Sequence, residues 1–325
     1  MSAINPRFSI LLPTHNRADV VGLAIASVLA QTESDFELLI VADGCTDSTC
    51  DVIANFKDSR IRLFDLPKAP HFGYANRNIA LRESRGRLIA YVAHDDLLLP
   101  DHLELMGNLL DSSKASWGYS RPLWVSTDGI IVPFCTNLNL TDEREDFLER
   151  FNTIPAICVV HNRTVFEDSG FWPENLAFAA DWELWKQIIK SSRAPPAFLR
   201  QPTTLHFSAD WKCSRHASMK EMDTLLSIAD HAEWWPRILR YLPKVEKHSL
   251  IVPEQVLLWN ALRSGKGSWV AALRAAIDAV IDRIAWMAVR ELIPEHKAMR
   301  RSTSWRLTKP LRAIAKGLRN LFYSN

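Results

Sequence analysis

Apolar and polar positions along the first hundred residues follow two alternating periods. "RFSILLP" (Arg7–Pro13) is a short continuous apolar run, the pattern of a strand buried on both faces, while "DVVGLAIASVLAQ" spaces its apolar residues as a helix does. The pair then repeats. "FELLIVAD" (Phe36–Asp43) predicts a strand, "DSTCDVIANFK" a helix and "RIRLFDL" a shorter strand. "YANRNIALRES" predicts a helix, "RLIAYVA" a strand and "PDHLELMGNLLDS" a helix whose Pro100 suits a first turn. Regular alternation of this kind predicts an α/β fold, a mainly parallel sheet with helices on both faces. Open sheets of that type bind ligands in the crevice at the carboxyl ends of their strands.

After Ala115 the rhythm changes. "SWGYSRPLWVSTDGIIVPF" reads as two strands with a turn at Asp128-Gly129, followed by a helix near "DEREDFLERF" and a strand at "AICVVHN". A helix is expected from about Ala180, then the extended "AFLRQPTTLHF". From Met219 the pattern is almost wholly helical, which places a domain boundary near Ser218: residues 1–218 as the α/β domain and 219–325 as a C-terminal helical region.

Composition changes this picture little. The 325 residues are 47% hydrophobic and 23% charged, as in ordinary globular proteins, and the formal net charge of +2 is too small for this length to say much about partners; no nucleic-acid partner is expected. Five cysteines without CxxC spacing predict a reduced, cytoplasmic chain without a thiolate metal site. The amino terminus lacks a signal-peptide layout. The most apolar late stretch, "SWVAALRAAIDAVIDRIAWMAV", is interrupted by Arg274, Asp278, Asp282 and Arg283, which argues against a membrane span.

The candidate chemistry lies at the predicted strand ends. No G-x-G-x-x-G follows the first strand and no P-loop pattern occurs, so dinucleotide and P-loop folds have no support. The first strand instead ends in "PTHNR" (Pro13–Arg17) and the second in "VADGCTDST" (Val41–Thr49), both of which also read as turns, with Asp47 a cap for the next helix. The fourth delivers Asp95 and Asp96 side by side after "RLIAYVA". Two like charges at a strand end repel unless something positive lies beside them. Hard dications take one or two carboxylates together with substrate phosphates, and the pair suits that use.

As a set, "ILLPTHNR", "LLIVADGCTDST" and "ANRNIAL…GRLIAYVAHDD" resemble the family 2 glycosyltransferases of the GT-A fold, over roughly Phe8 to Trp211. The resemblance implies that Pro13, Thr14 and His15 lie against a nucleotide base and that Arg17 positions base or phosphates. It further implies that Asp43 hydrogen-bonds the base, that Arg77 lies close to the nucleotide, and that Asp95 and Asp96 meet the ribose and a diphosphate-bound Mg²⁺ or Mn²⁺. His206 stands about where a further metal ligand is supplied by some GT-A enzymes. In "FAADWELWKQI", Asp181 matches the family's general base, with Glu183 as fallback; the alternative for Asp181 is a carboxylate stabilised by the helix dipole. Ala42, Ala93 and Ala180 stand where the family has acids. Trp211 and Lys212 resemble a downstream pair that meets diphosphate or acceptor, and Trp182 is the candidate sugar platform, with Trp185 assigned to the core.

The tail carries Leu307, Leu311, Ile314, Leu318 and Leu321 at helical spacing, with Arg312, Lys316 and Arg319 largely outside that stripe. Such a helix either lies in a membrane interface or packs on the protein itself. The "SWRLTKPLR" stretch resembles tails of bacterial glycan-assembly transferases, which favours peripheral contact with the inner face of the cell membrane through 300–325. The expectation is therefore an inverting transferase moving sugar from a nucleotide-diphosphate donor, a UDP-sugar, to a glycan or lipid-linked hydroxyl. The alternatives are a non-catalytic sugar- or nucleotide-binding scaffold, motivated by the three alanines, and a nucleotidyltransferase, which the absence of a Gly-rich basic loop disfavours.

Overall fold

The computed structural model describes residues 5–126, 129–134, 136–207, 220–240, 254–265 and 267–301. Asp128 of the predicted turn, Trp211, Lys212, the boundary near Ser218 and tail residues 302–325 lie outside them. The chain divides into two compact units, Met1–Ala276 and Ile277–Asn325.

Elements appear in the order β1 (Phe8–Thr14), α1 (Val21–Leu29), β2 (Phe36–Asp43), α2 (Thr49–Ala54), β3 (Ile61–Leu66), α3 (Tyr74–Arg82), β4 (Leu88–Tyr91), β5 (Leu97–Leu98), α4 (His102–Ser112), β6 (Trp117–Ser120), β7 (Leu123–Val125) and β8 (Ile131–Pro133). Then come α5 (Thr141–Glu149), β9 (Val159–Asn162), α6 (Val165–Ser169), α7 (Ala180–Ser191), β10 (Ala197–Leu199), β11 (Thr204–Phe207), α8 (Lys220–His231), α9 (Glu254–Ser264) and α10 (Ser268–Arg301). A large sheet has the order β10-β6-β9-β4-β1-β2-β3, and a small one the order β5-β11-β7-β8. In the large sheet β9 alone runs antiparallel to its neighbours, so the predicted mainly parallel α/β fold is what forms. All eight residues of β2 are buried, which is why its sequence is nearly unbroken apolar, whereas edge strand β3 alternates.

Two long predicted strands break. "SWGYSRPLWV" is β6 in the large sheet and β7 in the small one, and "AFLRQPTTLHF" is likewise β10 and β11. β6 pairs with β10 and β7 with β11, both in parallel, so the two segments change sheets side by side. Each carries a proline at the crossing, Pro122 or Pro202, which has no N–H to give a ladder. Arg121 fixes the crossing by donating from Nε to the Arg200 carbonyl at 2.6 Å and from Nη1 to that of Phe134 at 3.2 Å.

Arg274, which interrupts the apolar stretch of α10, forms a two-pronged ion pair with Asp101 at 2.7 and 2.8 Å and donates to the Pro202 carbonyl. It docks the start of α10 beside α4. α9 rests against α1, and its buried Gln255 donates to the Asp95 carbonyl at 3.2 Å. No helix among the described residues is long and apolar enough to cross a membrane.

Candidate active site

The order β3-β2-β1-β4 reverses the chain's direction of travel between β1 and β4, which puts the topological switch point at the end of β1. Thr14 closes β1 there, and Asp95 and Asp96 follow β4. The gap is bridged at two points: His94 Nδ1 donates to the Pro13 carbonyl at 3.2 Å, and the Arg17 guanidinium stands 3.9 Å from the Asp95 carboxylate.

The loops after β1 and β2 are joined to each other. Asn16, in the left-handed region at φ 51°, accepts from the Thr46 N–H at 2.8 Å. Arg17 N–H donates to Thr49 Oγ1 at 2.8 Å, and the Asp47 carboxylate accepts from Ala18 and Thr49 N–H. Asp47 thus caps the approach to α2 and also fastens the neighbouring loop. His15 is exposed, with Nδ1 donating to the Asp43 carbonyl at 2.8 Å, and Pro13 is half-buried. Thr14 is buried, and its hydroxyl has no hydrogen-bond partner among the described residues.

Asp43, at the end of β2, is saturated by protein donors. Lys68 Nζ reaches it at 2.5 Å, Asn76 Nδ2 at 2.7 Å and the Ala69 N–H at 2.8 Å. Although burial opposes ionisation, the Ala69 N–H and the Lys68 and Asn76 side chains hold its carboxyl below the usual range. Gly73 allows this approach: it has φ 73°, and a Cβ there would collide with the Asp43 carboxylate. One turn into α3, the half-buried Arg77 lies 5.0 Å from the ring centres of both Tyr74 and Trp172. It donates to the Phe72 carbonyl at 3.0 Å, its Nε has no partner, and it makes no ion pair among the described residues. Desolvation pushes its pKa down, against the fields of Tyr74, Asp181 and Asp43. Arg77 is a cation with unfilled capacity.

Asp95 and Asp96 are 3% and 1% exposed. The Asp96 carboxylate accepts from the Phe207 N–H at 3.0 Å and from His206 Nδ1 at 2.9 Å, so it ties β11 to the end of β4. The His206 ring stands edge-on to Trp124, with centres 4.5 Å apart. The repulsion expected of adjacent carboxylates is met by a different positive or donor group on each. Among the described residues no three His, Cys, Asp or Glu side chains are grouped as a metal centre. The oxygen donors of Asp95 and Asp96 suit a hard dication shared with a substrate diphosphate, rather than an all-protein cage.

Asp181 occupies the first turn of α7, entered through Ala179 in the left-handed region at φ 57°. Asn152 Nδ2 donates to Asp181 Oδ2 at 2.9 Å. Desolvation raises the carboxyl's pKa, against the Trp182 N–H, the Arg77 charge and Asn152, which favour ionisation. Glu183 is 3.9 Å from Lys186, whose ammonium stands 3.6 Å from the centre of the Trp182 ring. Trp182 Nε1 donates to the Phe147 carbonyl at 2.8 Å, and Trp185 is fully buried. Phe178, just before the turn, is 66% exposed.

The residues named from the sequence thus converge on two centres: the β1–β4 gap with Thr14, His15, Arg17, Asp43, Asp95, Asp96 and His206, and the α3–α7 approach with Arg77 and Asp181. Lys68, Asn152 and Gln255 join them without any spacing signal in the sequence. Their partners are 25, 29 and 160 positions away.

Residues 9–123 match the profile described as glycosyl transferase family 2. The chain carries a family 2 glycosyltransferase domain. Among similar proteins, the Escherichia coli UDP-Glc:alpha-D-GlcNAc-diphosphoundecaprenol beta-1,3-glucosyltransferase WfgD is 29% identical over 184 residues, 57% of this chain and 70% of WfgD. WfaP, an E. coli enzyme of the same description, is 30% identical over 124 residues, 38% of this chain and 49% of WfaP. The structure of S. aureus TarS 1–349 in complex with UDP-GlcNAc matches with a TM-score of 0.53 at 15% identity, over 85% of this chain and 92% of that one. The fold is therefore that of the GT-A glycosyltransferases, and this glycosyltransferase keeps its motifs at the strand ends that the fold provides.

Proposed function

We propose that this glycosyltransferase moves a sugar from a UDP-sugar to a hydroxyl of a lipid-linked glycan, with inversion and with Asp181 as general base. The observation that carries the reading is the Asp181 carboxyl, held at the start of α7 by Asn152 at 2.9 Å, with desolvation raising its pKa and the field of Arg77, which makes no ion pair among the described residues, opposing that rise. The UDP-sugar and the lipid diphosphate acceptor are supported by the names of WfgD and WfaP.

In this reading His15 and Pro13 lie against the base beside Thr14, with Asp43 holding that wall through Lys68 and Asn76. Arg17 and Arg77 receive the diphosphate. Asp95 and Asp96, with His206 behind them, would hold Mg²⁺ or Mn²⁺ together with donor oxygens. When bound, that ion offsets the charge that builds on the departing diphosphate. Asp181 takes the proton of the acceptor hydroxyl as its oxygen bonds to the anomeric carbon. The bond from that carbon to the diphosphate breaks on the opposite face, and its electron pair leaves with UDP. A base poised this way contributes about 10²–10⁴-fold in rate. The reaction would take place in the cytoplasm at the inner face of the cell membrane, with the basic tail as the contact.

A non-catalytic scaffold is the second reading, favoured by Ala42, Ala93 and Ala180 in place of family acids. Thermal melting with UDP, GDP or dTDP, each with and without Mn²⁺, tests the donor assignment. A Mn²⁺-dependent rise with UDP, lost in Asp95→Ala, is the expected result. A rise with GDP or dTDP alone overturns the UDP assignment, and a rise with UDP that ignores Mn²⁺ removes the ion from the scheme.

A further inference from the structure

Asn152 lies between α5 and β9, in a stretch that no motif marks. Its amide is held at both ends. Oδ1 accepts from the Ile154 N–H at 3.2 Å, and Nδ2 donates to Asp181 Oδ2 at 2.9 Å. The stretch is itself tied down: Thr136 Oγ1 donates to Thr153 Oγ1 at 2.8 Å, and Trp182 Nε1 reaches back to the Phe147 carbonyl at 2.8 Å. Two successive residues at the start of α7, Trp182 and Asp181, therefore meet the last turns of α5 and the stretch that follows it. With Ile154 fixing which end of the amide is oxygen, only the NH₂ end can meet the carboxylate.

We propose that Asn152 is the positioning residue of the transfer reaction, holding Asp181 in one rotamer by a directed hydrogen bond and leaving the carboxylate's other edge to the acceptor hydroxyl. The proposal rests on Asp181 being the base. An amide is the suitable chemistry for this task. A lysine here would hold the carboxylate equally well but lower its basicity, and an aspartate would repel it. A neutral donor orients the base without adding a charge. The other charged groups near Asp181 do not supply that direction: Arg77 on α3 acts through its field, and on α7 itself Glu183 is matched with Lys186 at 3.9 Å.

The test is titration of the Asp181 carboxyl by ¹³C NMR of aspartate-labelled full-length protein, with the resonance assigned by its loss in Asp181→Asn. Asn152→Asp keeps an acceptor for the Ile154 N–H, so the loop contact is retained, while a second carboxylate faces the first. Asn152→Ala removes the hydrogen bond alone. Both variants are expected to titrate Asp181 at higher pH than wild type, Asn152→Asp by the larger amount. With UDP-glucose or UDP-GlcNAc turnover as a second readout, kcat falls about 10- to 100-fold, as displaced catalytic groups do, while KM for the donor stays level. An Asp181 titration and a kcat that do not move in Asn152→Asp overturn the proposal, and they leave the base assignment intact. Full activity in Asp181→Asn removes the base assignment instead, so the two failures are distinguishable. If Asn152→Ala melts early, Asn152→Asp decides.

Discussion

Arg77 and Asp181 illustrate how single side chains at this site are kept away from their ordinary chemistry. Desolvation disfavours the charge on each, and each lies in the other's field. Burial raises the Asp181 carboxyl's pKa, so in its proposed role as the base it works only above that value. kcat should therefore fall as pH drops through a limb that lies above the usual carboxylate range, as read from the pH profile of UDP-sugar turnover. A limb in the ordinary carboxylate range would contradict the assignment. Arg77→Gln should weaken UDP binding by at least about tenfold, ~1.4 kcal/mol, by calorimetry. Unchanged affinity would take Arg77 out of the donor site.

At the scale of elements, the site depends on how strand ends are tied to the helices that follow. Gly73 brings the start of α3 against Asp43, and so fixes where Arg77 stands. Gly73→Ala imposes a left-handed backbone on alanine and a collision with Asp43. Strain of about 1–3 kcal/mol is expected in a denaturant melt, together with loss of UDP binding. Arg274→Ala removes the paired bonds to Asp101 and should cost about 1–3 kcal/mol without changing UDP affinity, since it lies outside the site. The strands and helices of the first hundred residues were legible because burial on two faces and burial on one leave different periods in the sequence. The sheet-changing crossings at Pro122 and Pro202 were not, because the chain stays extended on both sides of each proline and its residue pattern does not record which sheet it pairs with. β5, two residues long, left no period to read. Asp43, Asp95 and Asp181 were singled out as candidates by the family resemblance of the motifs that hold them. Asn152 and Gln255 were not, since each is brought in by tertiary packing that spacing along the chain does not encode.

For the molecule as a whole, the buried polar groups set its response to acid. His102 Nδ1 lies 2.8 Å from Thr203 Oγ1, and His161 accepts from the Tyr91 hydroxyl at Nε2, 2.7 Å away, while its Nδ1 donates to the Asn162 carbonyl. Burial lowers their pKa values from 6.5 to about 3 and about 4. Between 6.5 and those values the unfolded chain binds protons that the folded one refuses. The contribution of these two histidines to stability is thus level above 6.5 and falls on acidification, by up to about 1.4 kcal/mol per pH unit for each. Melting from pH 7 to 4 should show this slope, reduced by about one proton in His102→Asn; an unchanged slope in that variant would contradict the account of His102. The measurement that tests the central claim most directly is UDP release from UDP-glucose or UDP-GlcNAc with a GlcNAc-diphosphate-lipid acceptor, comparing wild type with Asp181→Asn. Acceptor-dependent release by wild type is expected, with a loss of about 10²–10⁴-fold in the variant and UDP affinity unchanged. Equal rates in the two proteins, or no release by wild type from either donor, would contradict it.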